Sequence, residues 1–453
     1  MNSALLAQKI AQLKQRPQAN QPVLDALQRW LLEVDTFTRH LINPYQVAQM
    51  TQVKVTELVP EMLYAVELGL LDLHWEVHCP HCYMVVAAHS QLAQVQSTTV
   101  CPMCAQTFMG DFTHLVEVMF ALNQEIETAH IPAVCWPPPS IKPRYLDIAP
   151  IFYQQTKASE DVLAEGVYRY NCPITFSKGT LTVTGEPTES MQVLKITQLA
   201  GPHFDPETLT ARPGPIRLEV TNVGHPMSGF WVAANELPLL TETDMPPHLS
   251  GLELIHYPVY KQLFRNQVLS NRERLTITAV TTVFTDIVGS TQMYEKLGDS
   301  VAYNIVRDHF DILFQTIETH HGTVIKTIGD AVMASFISNS EALQCLIDVL
   351  AQFKTYNDSR HLEQQVHIRI GIHRGAAILV NLNDRLDYFG AAINKAARVQ
   401  GIAGANEIVL SAEVYQDDGV QQLLQAAGLT NIQSQWVNLK GIEHQQLIYK
   451  IMV

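Results

Sequence analysis

The spacing of hydrophobic residues divides the chain into a helical beginning and a β-rich remainder. Leucine and isoleucine recur every three or four positions over residues 1–40, which predicts amphipathic helix. Asn43 supplies an N-cap and Pro44 suits a first helical turn, so helices are also expected at 45–50 and 56–68.

Residues 70–77 alternate between apolar and polar positions, which predicts a strand. Residues 1–77 therefore look like a winged-helix module, which would serve either DNA binding or docking and dimerisation. Residues 1–75 carry six basic and seven acidic side chains and no basic recognition helix. This charge balance favours docking or dimerisation.

Two C-x-x-C pairs follow this helical part, formed by Cys79 with Cys82 and by Cys101 with Cys104. Four thiolates at this spacing satisfy tetrahedral Zn²⁺ and leave no open coordination position, so a structural zinc ribbon is predicted over 78–110. The alternative is a pair of redox dithiols, which would need a thioredoxin-like context that the sequence lacks.

Three histidines, His74, His78 and His81, lie close to the first cysteine pair. One of them could replace a cysteine as a zinc ligand, but we expect solvated surface histidines here.

The segment 111–144 is expected to hold a short helix, or a strand and a helix over 112–131, and then a stiff linker at 136–140, where three prolines follow one another. Short β-like runs separated by Gly, Pro and Asn fill 145–270 and predict a sandwich-like domain without a catalytic cluster. From 271 to 453, strand and helix patterns alternate, which is typical of an α+β domain.

Composition narrows the function further. The chain has 30 Lys+Arg against 44 Asp+Glu and a formal net charge of −14, so nucleic acid is an unlikely partner. No apolar run near eighteen residues and no signal peptide can be recognised, so no membrane segment is expected. The cysteine usage suits a reducing cytoplasm.

Six polar residues of the C-terminal part carry the candidate chemistry. They are Asp286, Lys326, Asp330, Asp387, Asn394 and Arg398. Their sequence contexts are FTDIVGST, KTIGD and DYFGAAINKAAR, the last being a D-x6-N-x3-R string. This set resembles the catalytic domain of class III nucleotide cyclases, and the order of modules before it is similar to a soluble bacterial group of that family. The resemblance implies a domain that is ferredoxin-like at its centre and acts on a purine triphosphate.

The resemblance implies two Mg²⁺ or Mn²⁺ ions per active site, bound by Asp286 and Asp330 with the Ile287 carbonyl as an added ligand. Carboxylates are the ligands that these hard cations prefer. A turn of Gly289, Ser290 and Thr291 is then expected to offer backbone N–H groups at a helix start to the triphosphate.

The choice of base can be predicted from two of the six positions. Adenine presents N1 as an acceptor and N6 as a donor, which a lysine and a carboxylate complement, so Lys326 and Asp387 favour ATP. Guanine would leave both groups mispaired, at a cost of about 1–3 kcal/mol each. In guanylate cyclases these positions resemble Glu and Cys, and neither occurs here.

By the same resemblance, Asn394 orients the ribose and Arg398 stabilises charge on the α-phosphate. Lys440 matches a family lysine that contacts the β- and γ-phosphates. The family's metal aspartates come from one subunit and the remaining groups from the other, so the resemblance implies a homodimer with two equivalent sites.

The sequence thus predicts a soluble, cytoplasmic, homodimeric adenylate cyclase that makes cyclic AMP and pyrophosphate from ATP and is regulated by its N-terminal region. Three alternatives remain: a cyclase of relaxed or guanylate specificity, a silent nucleotide-binding module that signals through the N-terminal region, and a DNA-binding regulator, which the charge opposes. The regulator itself stays unknown.

Overall fold

The computed structural model describes residues 1–102, 104, 106–128, 146–172, 174–234, 239–360 and 365–452. The linker expected at 136–140 lies outside the described residues. Within the described part, no helix is both long enough and apolar enough to span a lipid bilayer.

The helices of the described part are α1 (Ser3–Lys14), α2 (Gln21–Glu33), α3 (Thr36–Arg39), α4 (Pro44–Thr51), α5 (Val55–Glu67), α6 (Gly251–Ile255), α7 (Pro258–Leu263), α8 (Ser290–Leu297), α9 (Asp299–Thr319), α10 (Asn339–Arg360), α11 (Ala391–Gln400), α12 (Ala412–Tyr415) and α13 (Asp418–Ala426).

The strands of the first half are β1 (Leu71–His78), β2 (Val85–His89), β3 (Thr98–Val100), β4 (Thr107–Met109), β5 (Val116–Leu122), β6 (Leu146–Phe152), β7 (Thr156–Leu163), β8 (Gly166–Asn171), β9 (Lys178–Val183), β10 (Gln192–Gln198), β11 (Phe204–Asp205), β12 (Thr208–Ala211), β13 (Gly214–Asn222) and β14 (Met227–Ala234). Those of the second half are β15 (Arg274–Ile287), β16 (Thr323–Ile328), β17 (Ala331–Phe336), β18 (Ile368–Asn381), β19 (Leu386–Phe389), β20 (Glu407–Ser411), β21 (Ile432–Val437) and β22 (Gln446–Met452).

The helical beginning is broken twice, where the hydrophobic periodicity predicts one continuous stretch. A proline, Pro17, lies between α1 and α2, and the side chain of Asn20 then caps α2 by accepting from the Val23 N–H. Asp35 caps α3 in the same way. Proline disfavours continuation of a helix and side-chain caps stabilise a new start, so the three helices fold back on one another.

The two cysteine pairs lie in separate hairpins. The first pair stands at the turn between β1 and β2, and the second at the turn between β3 and β4. Strand β1 also pairs with β5, which gives a three-stranded sheet of order β2-β1-β5. The helix expected after this strand is absent from the described residues 123–128, which form turns instead.

The middle of the chain is a sandwich of two sheets. A four-stranded sheet of order β11-β10-β13-β7 faces a five-stranded sheet of order β12-β9-β8-β14-β6. Aromatic and aliphatic side chains from both sheets share one core, including Tyr170, Phe230 and Leu218. Its strands end at Ala234, and residues 251–263 of the segment predicted to be β-rich form helices α6 and α7 instead.

The C-terminal sheet has the order β16-β17-β15-β18-β20-β22-β21, with β19 paired to β18. Its first four strands, with α9 and α10 as crossovers, have the β-α-β-β-α-β order of the ferredoxin-like fold, so that prediction is confirmed. Successive residues of β15 face opposite sides. Val283 packs with α9 and α10, whereas Phe284 packs with α11 and the N-terminal part of the chain.

Strand β18 runs without a break from Ile368 to Asn381, although it contains two glycines. Its glycines do not end it, because they make room for α11 instead. A side chain at Gly371 would place its Cβ 2.2 Å from the backbone nitrogen of Gln400, and one at Gly375 would place it 2.8 Å from the Ala392 Cβ. Glycine inside a strand often marks such a close approach.

A buried histidine joins α6 to the C-terminal sheet. The Nδ1 atom of His256 lies 2.7 Å from the Leu252 carbonyl oxygen, and its Nε2 atom lies 3.0 Å from the Ser335 hydroxyl on β17. Burial lowers the pKa of His256 from 6.5 to about 4, so the folded chain holds this ring neutral.

We therefore expect the folded chain to lose stability as the pH falls from 6.5 to about 4. Below pH 6.5 the unfolded chain binds a proton that folded His256 does not accept until about pH 4, so protons favour unfolding. At pH 5 this amounts to about 1–2 kcal/mol. Urea denaturation at pH 7.5 and pH 5.0 measures it, and His256→Gln should show the smaller loss. An equal loss in both proteins would rule out His256 as the source.

Candidate active site

Two acidic side chains meet at one end of the C-terminal sheet. Asp286 is the penultimate residue of β15, and Asp330 lies in the turn that joins β16 to β17. The Oδ2 atom of Asp330 accepts a hydrogen bond from the Ile287 N–H at 3.2 Å, which ties the turn to the end of β15. The structure thus brings together the two carboxylates that the sequence predicts to bind metal ions.

A cation that the sequence analysis did not single out shares this position. Arg369 on β18 is the register partner of Asp286, and its guanidinium donates to the Asp286 carboxylate. Burial raises the pKa of Asp286, the charge of Asp330 raises it further, and Arg369 opposes both effects. The available signal was a polar residue between Ile368 and Ile370, which becomes meaningful only once the strand register is known.

The residues after Asp286 form a helix start. Gly289 has a left-handed backbone conformation, with φ of 69°, and precedes the first residue of α8, Ser290. Its carbonyl accepts from the Met293 N–H at 3.0 Å, so the first turn is regular. The first N–H groups of a helix have no partner within it, and those of Ser290 and Thr291 are such groups beside the carboxylate pair.

A preformed ion pair marks a second group of residues. The Nζ atom of Lys326 on β16 lies 2.6 Å from the Oδ2 atom of Asp387 on β19. The Asp387 side chain is 7% exposed and the Lys326 side chain 35%, so the pair has one open side. The Phe389 ring, 49% exposed, lies with its centroid 5.9 Å from the same Nζ atom. A flat heterocycle could reach both the polar pair and an aromatic face here.

Asn394 and Arg398 lie one turn apart on α11, and both are exposed. The opposite side of α11 packs on the sheet through Ile393, Ala396 and Val399. Within the described residues, neither polar side chain has a hydrogen-bond or ion-pair partner. Both side chains therefore face solvent.

Lys440 lies in the exposed turn between β21 and β22. Its neighbour Leu439 is buried in a small cluster with Val399, the residue that follows Arg398. The turn is thereby held beside the last turn of α11. A contact of Lys440 with phosphate stays a prediction.

The predicted residues thus form two groups. One contains the carboxylates of Asp286 and Asp330, and the other contains the ion pair of Lys326 and Asp387. In the described part of the chain, no hydrogen bond or ion pair joins the two groups.

The four cysteines of the two C-x-x-C pairs converge on one point. Their Sγ atoms all lie within 4.8 Å of one another, and all four residues are buried. The Cys79–Cys104 and Cys82–Cys101 distances are 3.5 and 3.6 Å. These exceed the roughly 2 Å of a disulfide and approach the spacing of about 3.8 Å expected around a tetrahedral ion with Zn–S bonds of about 2.3 Å.

Of the three nearby histidines, His78 is not the surface residue that the sequence suggested. It is 3% exposed, and its Nε2 atom lies 3.4 Å from the Glu76 carboxylate and 3.5 Å from that of Glu117. Its Nδ1 atom is 3.1 Å from the Tyr83 carbonyl oxygen. Although burial lowers its pKa, these carboxylates raise the pKa of His78 to about 9 overall. The last four residues of β1 are all buried, and a β-bulge between Val77 and His78 breaks the alternation of the strand.

Residues 273–452 match the family described as Adenylate and Guanylate cyclase catalytic domain. Together with the fold and the grouped residues above, this match defines the C-terminal part as the catalytic domain of a class III nucleotide cyclase. Residues 6–135, which hold the first five helices and the cysteine cluster, match a Family of unknown function (DUF5939).

Several curated proteins are similar over part of the chain. An adenylate cyclase of Lachancea kluyveri is 30% identical over 153 residues, which cover 30% of this chain and 8% of that protein. An adenylate cyclase of Anabaena cylindrica is 29% identical over 150 residues, 30% of each protein. An uncharacterized protein of Mycobacterium tuberculosis is 30% identical over 170 residues, 37% of this chain and 54% of that protein. The similarity thus spans a small share of the cyclases and about half of the mycobacterial protein.

Solved structures with similarity include the adenylyl cyclase CyaB from P. aeruginosa, at 22% identity, a TM-score of 0.34, and coverage of 40% of this chain and 96% of that one. Another is the guanylyl cyclase Cya2, at 20% identity, a TM-score of 0.33, and coverage of 40% and 92%.

The convergence of the cysteines generates a test by metal analysis. We expect the purified chain to contain one zinc ion and Cys82→Ser to lose it, because one of four thiolate ligands is then missing. Cys172→Ser is the matched control, since Cys172 is also buried but lies in the sandwich core. The zinc content of the wild type, Cys82→Ser and Cys172→Ser is measured by metal analysis. Zinc retained in Cys82→Ser, or lost in Cys172→Ser, would contradict the assignment.

Proposed function

We propose that this chain is a homodimeric adenylate cyclase that converts ATP to 3′,5′-cyclic AMP and pyrophosphate. The observation that carries the proposal is the Lys326–Asp387 ion pair within a nucleotide cyclase domain. Its Nζ and Oδ2 atoms are 2.6 Å apart, and one side of the pair is open to solvent. A lysine donor and a carboxylate acceptor suit the N1 and N6 edge of adenine, and guanine would leave both mispaired. In the reaction, the ribose 3′-oxygen bonds to the α-phosphorus, the bond from that phosphorus to the bridging oxygen breaks, and the 3′-hydroxyl proton is released.

Asp286 and Asp330, with the Ile287 carbonyl, are the residues that would hold two Mg²⁺ or Mn²⁺ ions. The donor set fits, because it is made of oxygen atoms from two neighbouring carboxylates and a carbonyl, which are the ligands that these hard cations prefer. Such ions supply stabilisation of negative charge on the entering and leaving oxygens.

Protein groups around the carboxylates would bind the remaining charge of the triphosphate. The first N–H groups of α8 offer donors at the positive end of a helix dipole. Arg369 can exchange its contact with Asp286 for a phosphate oxygen, since a guanidinium pairs equally well with either anion. Lys440 would add a second cationic side chain from the turn beside α11.

The proposed dimer follows from the separation of the two groups. The carboxylates of one chain would serve the Lys326–Asp387 pair of the second copy, and the exposed Asn394 and Arg398 would reach across to the ribose and the α-phosphate. An arginine placed on charge that develops in the transition state contributes several kcal/mol in phosphoryl transfer. Each dimer would then contain two equivalent sites.

For the N-terminal part we propose a regulatory and docking role. The helices α1–α5 with β1 would form a winged-helix-like module, and residues 78–110 with the four cysteines a structural zinc ribbon. The net charge of −14 opposes DNA binding, and the free thiols suit the cytoplasm. The four-stranded and five-stranded sandwich would serve as a spacer or sensor.

Complementation of two inactive variants tests both the enzyme and the shared site. We expect Asp286→Ala and Arg398→Ala each to lose at least about a hundredfold in cyclic AMP formation with Mn²⁺. Mixing them in equal amounts should restore about a quarter of the wild-type rate, because half of the dimers would be mixed and each would hold one intact site.

The control for this mixture is a second Asp286 variant, Asp286→Asn, mixed with Asp286→Ala, which should restore nothing. No recovery in the first mixture, despite subunit exchange measured with labelled chains, would refute the shared site. A wild-type chain that makes no cyclic nucleotide with Mg²⁺ or Mn²⁺ would refute the enzyme itself.

The base preference is tested by exchanging the pair. Lys326→Glu combined with Asp387→Cys should lower the ratio of kcat/KM for ATP over GTP by tenfold or more, since about 1.4 kcal/mol per mispaired group corresponds to that factor. Initial rates on both nucleotides give the ratio. Selectivity equal to that of the wild type would show that these residues do not read the base.

A further inference from the structure

The segment of residues 249–269, named here the connector, lies between the N-terminal part and the C-terminal sheet. On the N-terminal side, the Leu249 carbonyl accepts from the Val118 N–H at 2.8 Å, and the Tyr45 hydroxyl donates to Glu253 at 2.9 Å. Helix α7 also packs against α5. The connector is therefore fixed to the helical beginning of the chain.

On its other side, the connector contacts the hairpin of β16 and β17 at two neighbouring positions. His256 contacts Ser335, whose register partner across the hairpin is Thr323. Lys261 donates from its Nζ atom to the carbonyl of the next residue, Val324, at 2.9 Å. Both contacts lie just before Lys326, the lysine of β16 that is proposed to bind the purine base.

A β-bulge separates these contacts from Lys326. Val324 pairs with Ala334, but Lys326 already pairs with Met333, so Ile325 is the extra residue. A bulge bends its strand and changes the direction of the side chains that follow. The direction of Lys326 toward Asp387 thus depends on the backbone that Lys261 binds.

A charged lysine at this position costs folding free energy, because it is partly removed from water. Lys261 is half-buried. Burial lowers its pKa to about 8 against the opposing charge of Glu318, and no carboxylate of the described residues lies within ion-pair distance of its Nζ atom. An apolar side chain would fill the same space without burying a charge. The hydrogen bond to the bulge is what the ammonium adds.

We infer that Lys261 is a positioning residue for purine recognition, which holds the bulge of β16 so that Lys326 pairs with Asp387 and reads the base. The inference rests on the proposed function, because it concerns the same adenine site. It also makes the connector the element through which the N-terminal part acts on the catalytic sheet.

Lys261→Met in the full-length chain tests this inference. We expect the KM for ATP to rise by about three- to tenfold with kcat changed less than twofold, and the ATP over GTP ratio of kcat/KM to fall. Lys261→Arg keeps a cationic donor and should restore most of the difference. Gln262→Met, an exposed neighbour on α7, is the control and should match the wild type. If Lys261→Met folds poorly in a thermal melt, Lys261→Leu, which also lacks a donor, takes its place.

Binding of a fluorescent ATP derivative is measured beside turnover, so that two failures can be separated. Weaker binding by Lys261→Met than by Lys261→Arg supports the inference even if the wild type makes no cyclic AMP, in which case the proposed function fails alone. If the wild type turns over and Lys261→Met equals it in KM, nucleotide selectivity and binding, the inference is overturned. A fall in kcat with unchanged KM and selectivity would also overturn it.

Discussion

The approach of two carboxylates, Asp286 and Asp330, at the end of a buried sheet is the constraint on which the catalytic domain depends. Two negative charges in a partly desolvated place repel each other, and burial raises the pKa of Asp286 further. The structure holds them by a hydrogen bond from Ile287 to Asp330 and by the guanidinium of Arg369. Under the proposed function, bound cations would relieve this repulsion.

The catalytic sheet shares its second face with the rest of the chain. One hydrophobic core runs from Leu6 on α1, through Trp75 on β1, to Phe284 and Ala396 of the catalytic domain. The family match begins at residue 273, but the hydrophobic core continues across that position. Residues of β17 and β18 contact the connector directly, since His256 lies against Ser335 and Asn381 donates to the Leu269 carbonyl.

Three polar side chains of the connector have hydrogen-bond partners at this shared face. His256 uses both ring nitrogens, Lys261 binds a carbonyl, and Glu253 accepts from Tyr45. Unpaired polar groups in such a place would each cost about 1–3 kcal/mol. These hydrogen bonds favour one arrangement of connector and hairpin more strongly than an apolar contact alone would, because they have fixed directions.

By itself, the sequence determined the features that depend on near neighbours. The β-branched run before Asp286, the two cysteine pairs and the helix starts at Asn43 and Gly289 were all predictable, because periodicity and capping act over a few residues. Tertiary structure decided everything that depends on register and burial. Arg369 meets Asp286 across 83 residues, Lys261 meets Val324 across 63, and His78 turns inward on its strand. No local pattern encodes these contacts, since they arise only when strands pair and the connector packs between two parts of one core.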